Sequence, residues 1–419
     1  MIQYRNQVNV IYIDPPYGKD SMGEFAKTHY NNAITRDNLL SMLYPRLTLA
    51  WELLAEDGVI FCSIDDRNQA YVKCLFDEVF GEENFVSNLI WQKKKGGAQD
   101  AKYFSKEHEY ILCFSKQEWV INEEKRPHDE KEFNKVINGK KAKIFKLEKW
   151  GAGSLREDCP SLYYCIKDPN GKDFFPMAPN GKAGRWRKKP ENLDIYHIYW
   201  QEDLKGRLTP YEVVYFEEVK LKNKILKNRT IFTEYGTTTD ATKDIQAIFV
   251  DKIFDTPKPL SLIRHLIKIS AQPDSIILDF FAGSGTTGHA VLALNKEDGG
   301  NRKFILCQLN EKTETTPNGI AYDVTAKRLK RIMTGECYDG TKPEKWLEEN
   351  EPYGGSLEVY DIDSVANFET TAGQTPFEVI DETLYGREKF STVKEKIEWV
   401  CSNFEKTQSY LEDSKGKED

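Results

Sequence analysis

The chain has 419 residues, 39% hydrophobic and 30% charged, with a net charge of −8, and is long enough for two or three domains with sizeable cores. No run of uncharged apolar residues is long enough for a membrane-spanning helix, and the polar stretch Met1 to Val8 leads straight into a strand, leaving no room for a signal peptide. A cytoplasmic protein is expected. Its eight cysteines have no C-x-x-C pair and no metal-type spacing to the six histidines, so reduced thiols are expected, with neither disulfides nor a metal site.

The charge is unevenly spread. Residues 91 to 230 carry 30 Lys and Arg against 21 Asp and Glu, which makes the middle third the candidate phosphate-binding surface, with an ordinary solvated face as the alternative. From residue 337 onward, 20 acidic residues stand against 9 basic ones, a balance unsuited to contact with DNA.

The first segment, 1 to 118, alternates apolar strand-like runs with amphipathic helices. Val10-Ile11-Tyr12-Ile13 reads as a buried strand ending in the loop Asp14-Pro15-Pro16-Tyr17. A helix follows over Arg36 to Glu56, then a strand at Val59 to Ile64, a helix from Arg67 to Phe80 stopping at Gly81, and a strand at Tyr110 to Phe114. From 119 to 250 helical periodicity fades and Gly and Pro become frequent, which predicts an irregular, β-rich inserted domain. Within it Arg185, Arg187, Lys188 and Lys189 are the candidate DNA contacts, and Trp186 between them is expected to pack in the domain core. The segment 251 to 335 returns to α/β, with helices at Leu260 to Ile269, Thr287 to Leu294 and Ala321 to Ile332 and strands at 276 to 280 and Phe304 to Leu309. A C-terminal α+β extension, 336 to 419, carries a strand-like run at Leu357 to Tyr360 and helices near 376 to 385 and 391 to 412.

Two strand-ending loops carry the chemistry. In doubly wound sheets ligands bind at the carboxyl ends of the strands. Gly283-Ser284-Gly285-Thr286-Thr287-Gly288 has the G-x-G-x-x-G spacing of a nucleoside-bearing cofactor site, and no lysine follows to make it a phosphate-cradling loop. Asp279 and Phe280 precede the glycines, where a carboxylate meets the charged amino-acid part of a sulfonium cofactor, and Glu311 follows where it can hold ribose hydroxyls. S-adenosylmethionine suits such a pocket better than a diphosphate, although a nicotinamide dinucleotide fits the glycine spacing alone. The first loop suits an amine. An exocyclic amino group on a base delocalises its lone pair into the ring, and two acceptors, the Asp14 carboxylate and the Pro15 carbonyl, can each take one N–H and free that pair for attack. Pro15 and Pro16 stiffen the loop, and Tyr17 offers a stacking face for a base taken out of the duplex.

These residues resemble the amino DNA methyltransferases, and their order, catalytic loop first, then the inserted region, then the glycine loop, is similar to the β class. Gly58 to Phe61, Ser63 to Asp66, Phe80 to Phe85 and His108 to Leu112 resemble the modification (Mod) subunit of type III restriction-modification systems. Asp255-Thr256-Pro257-Lys258-Pro259 resembles the cofactor-pocket motif that precedes the glycine loop, so that Lys258, Pro259, Asp279, Phe280, Phe281, Gly283, Ser284, Gly285, Thr286, Thr287 and Glu311 are the implied cofactor residues.

The resemblance implies an S-adenosylmethionine-dependent, Rossmann-like sheet and methyl transfer to N6 of adenine in double-stranded DNA. Cytosine N4 is the nearest alternative. The implied partners are DNA, a helicase-nuclease restriction subunit and a second copy in a homodimer. Gly18-Lys19-Asp20 replaces the Asn-Thr-Gly that commonly follows the tyrosine. Only a few residues precede Val10, where such proteins usually carry a long segment, so a truncated form without a helix that covers the sheet is expected, and an inactive DNA-binding subunit is a third reading.

Overall fold

Apolar runs that can be buried on both faces dictate the centre of this protein. A computed structural model of the chain describes residues 4–17, 35–97, 103–203, 206–249, 251 and 253–362. Strand β1 (Val8–Ile13) sends Val8, Ile11 and Ile13 into one core and Val10 and Tyr12 into the other. A strand covered on both sides needs no polar alternation.

Helix α1 (Arg36–Leu53), strand β2 (Leu54–Ile64), helix α2 (Gln69–Phe80), strand β3 (Phe85–Gln92) and strand β4 (His108–Ser115) follow. Helix α1 starts where the Thr35 hydroxyl accepts the Asn38 N–H, and it buries Leu39, Leu43, Leu47, Ala50 and Leu53, one stripe at helical spacing. Helix α2 stops at Gly81, whose φ of +88° suits glycine.

Between β4 and the short strand β13 (Ile231–Phe232) lie β5 (Glu124–Pro127), β6 (Lys135–Ile137), β7 (Lys140–Lys146), β8 (Ile166–Lys167), β9 (Asp173–Phe174), β10 (Ile198–Glu202), β11 (Leu208–Tyr215), the single turn α3 (Phe216–Val219) and β12 (Asn223–Leu226). Strands β10, β11, β7 and β6 form a four-stranded antiparallel sheet, while β5 pairs with β12 and β8 with β9. Trp186 centres a small core here. It is 1% exposed, packs against Leu147, Ile166 and Phe174, and donates its indole N–H to the Tyr164 carbonyl at 2.8 Å.

The chain then returns to α/β through α4 (Thr238–Phe249), α5 (Leu260–Ser270), β14 (Ile276–Asp279), α6 (Thr286–Asp298), β15 (Lys303–Leu306) and α7 (Lys327–Thr334), the last entered through a π-helical turn at Ala321–Ala326. The seven-stranded sheet has the order β13-β3-β4-β2-β1-β14-β15, and its strands pair in parallel except where β4 runs antiparallel to β2 and β3. Helices α1 and α2 cover one face, and α5 and α6 the other. This is a mixed α/β fold with a mostly parallel central sheet.

Three differences from the sequence expectations stand out. Strand β15 ends at Leu306 rather than Leu309, and α4, with Ala241, Ile245, Ile248 and Phe249 buried, is an unforeseen helix. The run Leu357 to Tyr360 forms no strand, because nothing among the described residues pairs with it; Val359 and Tyr360 stay exposed. Residues 1–357 make up one unit and 358–419 a second; the helices expected near 376–385 and 391–412 lie outside the described residues.

Trp186→Ala should lower stability by about 3–5 kcal/mol, the cost of deleting a fully buried aromatic, read from urea denaturation followed by circular dichroism. A loss under about 1 kcal/mol would mean that this core does not depend on the indole.

Candidate active site

Parallel pairing of β1 with both β2 and β14 brings three strand ends to one edge. Val10 pairs with Ile277 and Ile11 with Leu278, so the loops that begin at Asp14 and Phe280 leave the sheet side by side. Ile13 pairs with Cys62 in β2, and the antiparallel β4 delivers its first residues, His108 and Glu109, to the same edge; β3 ends there too, followed by Lys93.

The Asp14 loop meets a buried ionic cluster at this edge. Lys258 Nζ lies 2.6 Å from both carboxylate oxygens of Asp14, donates to the Tyr17 hydroxyl at 2.9 Å and stands 3.6 Å from Glu109 Oε2. Tyr17 donates its own O–H to Glu109 Oε2 at 2.8 Å, and Lys93 donates to Glu109 Oε1 at 3.0 Å. The Asp14 side chain keeps 25% of its surface open, against 10% for Lys258 and 9% for Glu109. Lys258 therefore approaches Asp14 from the protein side and leaves part of the carboxylate open.

Burial pushes the Asp14 carboxyl up, and Lys258 opposes that rise. Burial also acts on Glu109, but Lys258 and Lys93 outweigh it and hold this carboxyl below its ordinary range. Burial disfavours the Lys258 charge as well, yet Asp14 and Glu109 prevail and its pKa is raised. The backbone is fixed alongside: buried Asn68 donates its amide to the Tyr17 carbonyl at 2.7 Å and accepts from Arg36 Nε at 2.9 Å.

The glycine loop is held from below. Asp279 is 2% exposed and both its oxygens are engaged within the loop, by the Phe281 N–H at 3.0 Å and the Thr287 hydroxyl at 2.5 Å. Arg328, 1% exposed on α7, donates to the Ser284 carbonyl and hydroxyl at 3.1 and 3.2 Å, to Thr286 Oγ1 at 2.9 Å and to His289 Nδ1 at 3.0 Å. Gly285 has φ +77°, and a Cβ there would meet Thr325 Cγ2 at 3.1 Å; at Gly288 it would lie 2.9 Å from Leu329, which lets α6 pack closely against α7. Both glycines are required by packing inside the protein.

Sequence reasoning placed several of these side chains differently. Lys258 and Pro259 were expected in the cofactor pocket. The Lys258 carbonyl does accept from Thr286 Oγ1 at 3.3 Å, but its ammonium turns to Asp14, while Pro259 sits at the start of α5. Asp279 faces the base of its loop rather than an open pocket. Glu311 lies five residues beyond β15, and from the segment after that strand it is Gln308 whose side chain reaches the glycine loop, its oxygen accepting the Gly283 N–H at 2.7 Å. Glu109 and Arg328 were missed as well; Arg328 stands in a basic run with Lys327, Lys330 and Arg331, and nothing local sets it apart.

The four basic candidates of the inserted region differ among themselves. Arg187 and Lys189 are exposed, whereas Arg185 is bonded to the Gly153 carbonyl and Lys188 is paired with Glu212 at 2.5 Å. Arg187 lines a concavity of about 300 Å³ with Lys146, Glu148, Lys149 and the exposed Trp150.

Residues 8–317 match the family described as DNA methylase. The chain belongs to that family. It is 33% identical over 384 residues to the type III restriction-modification enzyme EcoPI Mod subunit of Escherichia phage P1, covering 79% of this chain and 59% of that one. To the StyLTI Mod subunit of Salmonella typhimurium it is 33% identical over 345 residues, covering 74% and 50%. To the type II methyltransferase M.KpnI of Klebsiella pneumoniae it is 33% identical over 361 residues, covering 78% and 82%. The chain thus spans little more than half the length of these two Mod subunits.

In this DNA methylase fold the carboxyl at the base of the glycine loop also bears on stability. Burial raises Asp279 to about 7, against the opposing hydrogen bonds from Thr287 and Phe281. A carboxyl raised in the folded state favours folding while protonated, so that contribution is lost as pH climbs from about 4 to 7. Melting curves across this range should show wild type losing stability relative to Asp279→Asn, whereas a constant difference would contradict the assignment.

Proposed function

We propose that this chain transfers a methyl group from S-adenosylmethionine to the N6 amino group of adenine in DNA, as the modification activity of a restriction-modification system. The observation that carries the reading is the juxtaposition of Asp14 and the glycine loop at one sheet edge. The lining fits the cofactor: half-buried Phe280 and Phe281 offer apolar walls beside a glycine loop that Gln308, Thr325 and Arg328 hold in shape. When bound, the cofactor supplies an electrophilic methyl group on a sulfonium.

The protein's part is positioning and polarity. The open face of Asp14 and the Pro15 carbonyl each accept one N–H of the amine, which draws the nitrogen toward tetrahedral geometry and frees its lone pair. That pair would take the methyl group that the cofactor supplies, the C–S electrons staying with sulfur, and Asp14 would accept the proton shed by the methylated nitrogen and pass it to solvent. Tyr17, fixed by Glu109 and Lys258, presents its ring to a base taken out of the stack.

In the same reading residues 1–118 and 251–335 form the catalytic and cofactor halves, 119–250 the target-recognition region and 336–419 an extension. Exposed Trp150, Arg187 and Lys189 and half-buried Lys149 support duplex binding by the inserted region, and likeness to Mod subunits of restriction-modification enzymes supports a restriction subunit as a further partner.

Methylated-base mapping of DNA from cells that express the chain should reveal N6-methyladenine at one sequence motif; N4-methylcytosine would reassign the base, and no methylation would sink the reading. Asp14→Ala should cut methylation by about 10²- to 10³-fold, since it removes an acceptor aimed at the reacting nitrogen, with cofactor affinity nearly unchanged. Gly285→Val should instead abolish cofactor binding in equilibrium dialysis, because its φ and Thr325 leave no room for a branched side chain.

For the inserted region, neutralising Arg187 and Lys189 should make the slope of log affinity against log salt shallower by up to about 0.9 for each phosphate that is no longer neutralised. Adding changes at Arg185 and Lys188, which have partners within the protein, should add little. An unchanged slope in the double variant would place DNA elsewhere.

A further inference from the structure

We infer that Lys258 and Glu109 are a positioning pair for the transfer step, Lys258 keeping Asp14 ionised and aimed at the incoming amine and Glu109 keeping Lys258 in place. The inference rests on the reading of Asp14 as an acceptor for that amine. Neither side chain needs to touch the base to matter.

The geometry gives each group in the cluster a defined task. Lys258 has three N–H donors and three neighbours that can take them, namely Asp14, the Tyr17 hydroxyl and Glu109. Tyr17 gives its proton to Glu109, so its lone pairs remain for Lys258. Lys93 holds the other oxygen of Glu109. Two carboxylates and two ammonium groups cancel, and a cluster this enclosed is tolerable only when its charges are paired.

Lys258 need not leave for the base to bind. Each carboxylate oxygen has two lone pairs, so Asp14 can hold the ammonium on its protein side and an amine N–H on its open side at once. A protonated Asp14 would present a donor to the amine, leaving Pro15 as the remaining acceptor and the nitrogen lone pair in the ring.

The other titratable groups that face Asp14 cannot replace Lys258. Tyr12, Tyr17 and Cys62 are pushed up by burial and stay protonated at neutral pH, while Glu109 and Asp279 are acids that discourage ionisation of Asp14. Among the described residues Lys258 is the cation in contact with this carboxylate. Its loss would leave Asp14 beside two other carboxyl groups in a partly desolvated pocket.

The test is the pH profile of single-turnover methyl transfer with saturating S-adenosylmethionine and DNA. Lys258→Met should move the acidic limb up by about one pH unit or more, the size expected when a close opposite charge is removed, and should recover part of its rate at alkaline pH. Lys258→Arg should restore the limb toward the wild-type position, and Glu109→Gln, which loosens Lys258 but also removes a charge that opposes ionisation of Asp14, should lower the rate; an undiminished rate there overturns the part assigned to Glu109. A limb left at the wild-type pH in Lys258→Met, whatever the rate, overturns the inference, because a purely structural loss lowers the whole curve. Should Lys258→Met fail to fold by circular dichroism, Lys258→Gln, which removes the charge but keeps a polar side chain in the cluster, takes its place, and an unshifted limb there overturns the inference. Asp14→Asn distinguishes the underlying reading: a rate within tenfold of wild type would remove Asp14 from the chemistry, while loss of rate there with an unshifted Lys258→Met profile would reject this inference alone.

Discussion

One residue ties the two motifs together. The peptide carbonyl of Lys258 takes the hydroxyl of Thr286 at the start of α6, and its ammonium sits on Asp14 at the end of β1, 244 positions away in sequence. An ammonium and a carboxylate in this little-hydrated place each depend on the other, since removing one partner of an enclosed pair leaves an uncompensated charge. The sheet order answers that demand. With β14 beside β1 and α5 starting just after Lys258, the chain can reach both loops within two residues.

The rest of the edge extends the same logic. Glu109 brings a second carboxylate to Lys258, and Lys93 compensates it. Because β4 is antiparallel to its neighbours, its first residues arrive where the parallel strands end, and a reversed β4 would carry Glu109 to the opposite edge. Behind the glycine loop, Arg328 stands among hydroxyl, carbonyl and imidazole acceptors, and burial lowers its pKa to about 10. Apart from His289 Nε2, which is buried without a hydrogen-bond partner, the polar side chains named at both loops are tied to partners, which makes the edge rigid where reacting atoms must be positioned.

What was legible in the sequence is what depends on local pattern. The apolar runs at Val10 to Ile13, Val59 to Cys62 and Ile276 to Leu278 read as buried strands, and the stripe from Leu39 to Leu53 as a covering helix. Strand β3 escaped because Ser87, Asn88 and Gln92 interrupt its apolar residues, although Leu89 and Trp91 are buried. The two loops were recognisable from residue type and spacing, but side-chain direction was not. Asp279 turns inward because Phe281 and Thr287 claim its oxygens, and Lys258 turns to Asp14 because opposite charge lies there. Gln308 reaches the glycine loop that Glu311, three positions farther along the chain, was expected to serve. These are long-range contacts that no window of sequence contains.

The central claim, that the Asp14 to Lys258 pair is the joint on which both loops depend, is tested most directly by a double-mutant cycle in unfolding free energy with Asp14→Asn, Lys258→Met and the double variant. A joint of this kind predicts that each single change destabilises and that the double variant loses less than the sum, with a coupling energy of about 1.5 kcal/mol or more. Additive losses within about 0.5 kcal/mol would mean that the two groups are neighbours without energetic dependence, and would contradict that claim.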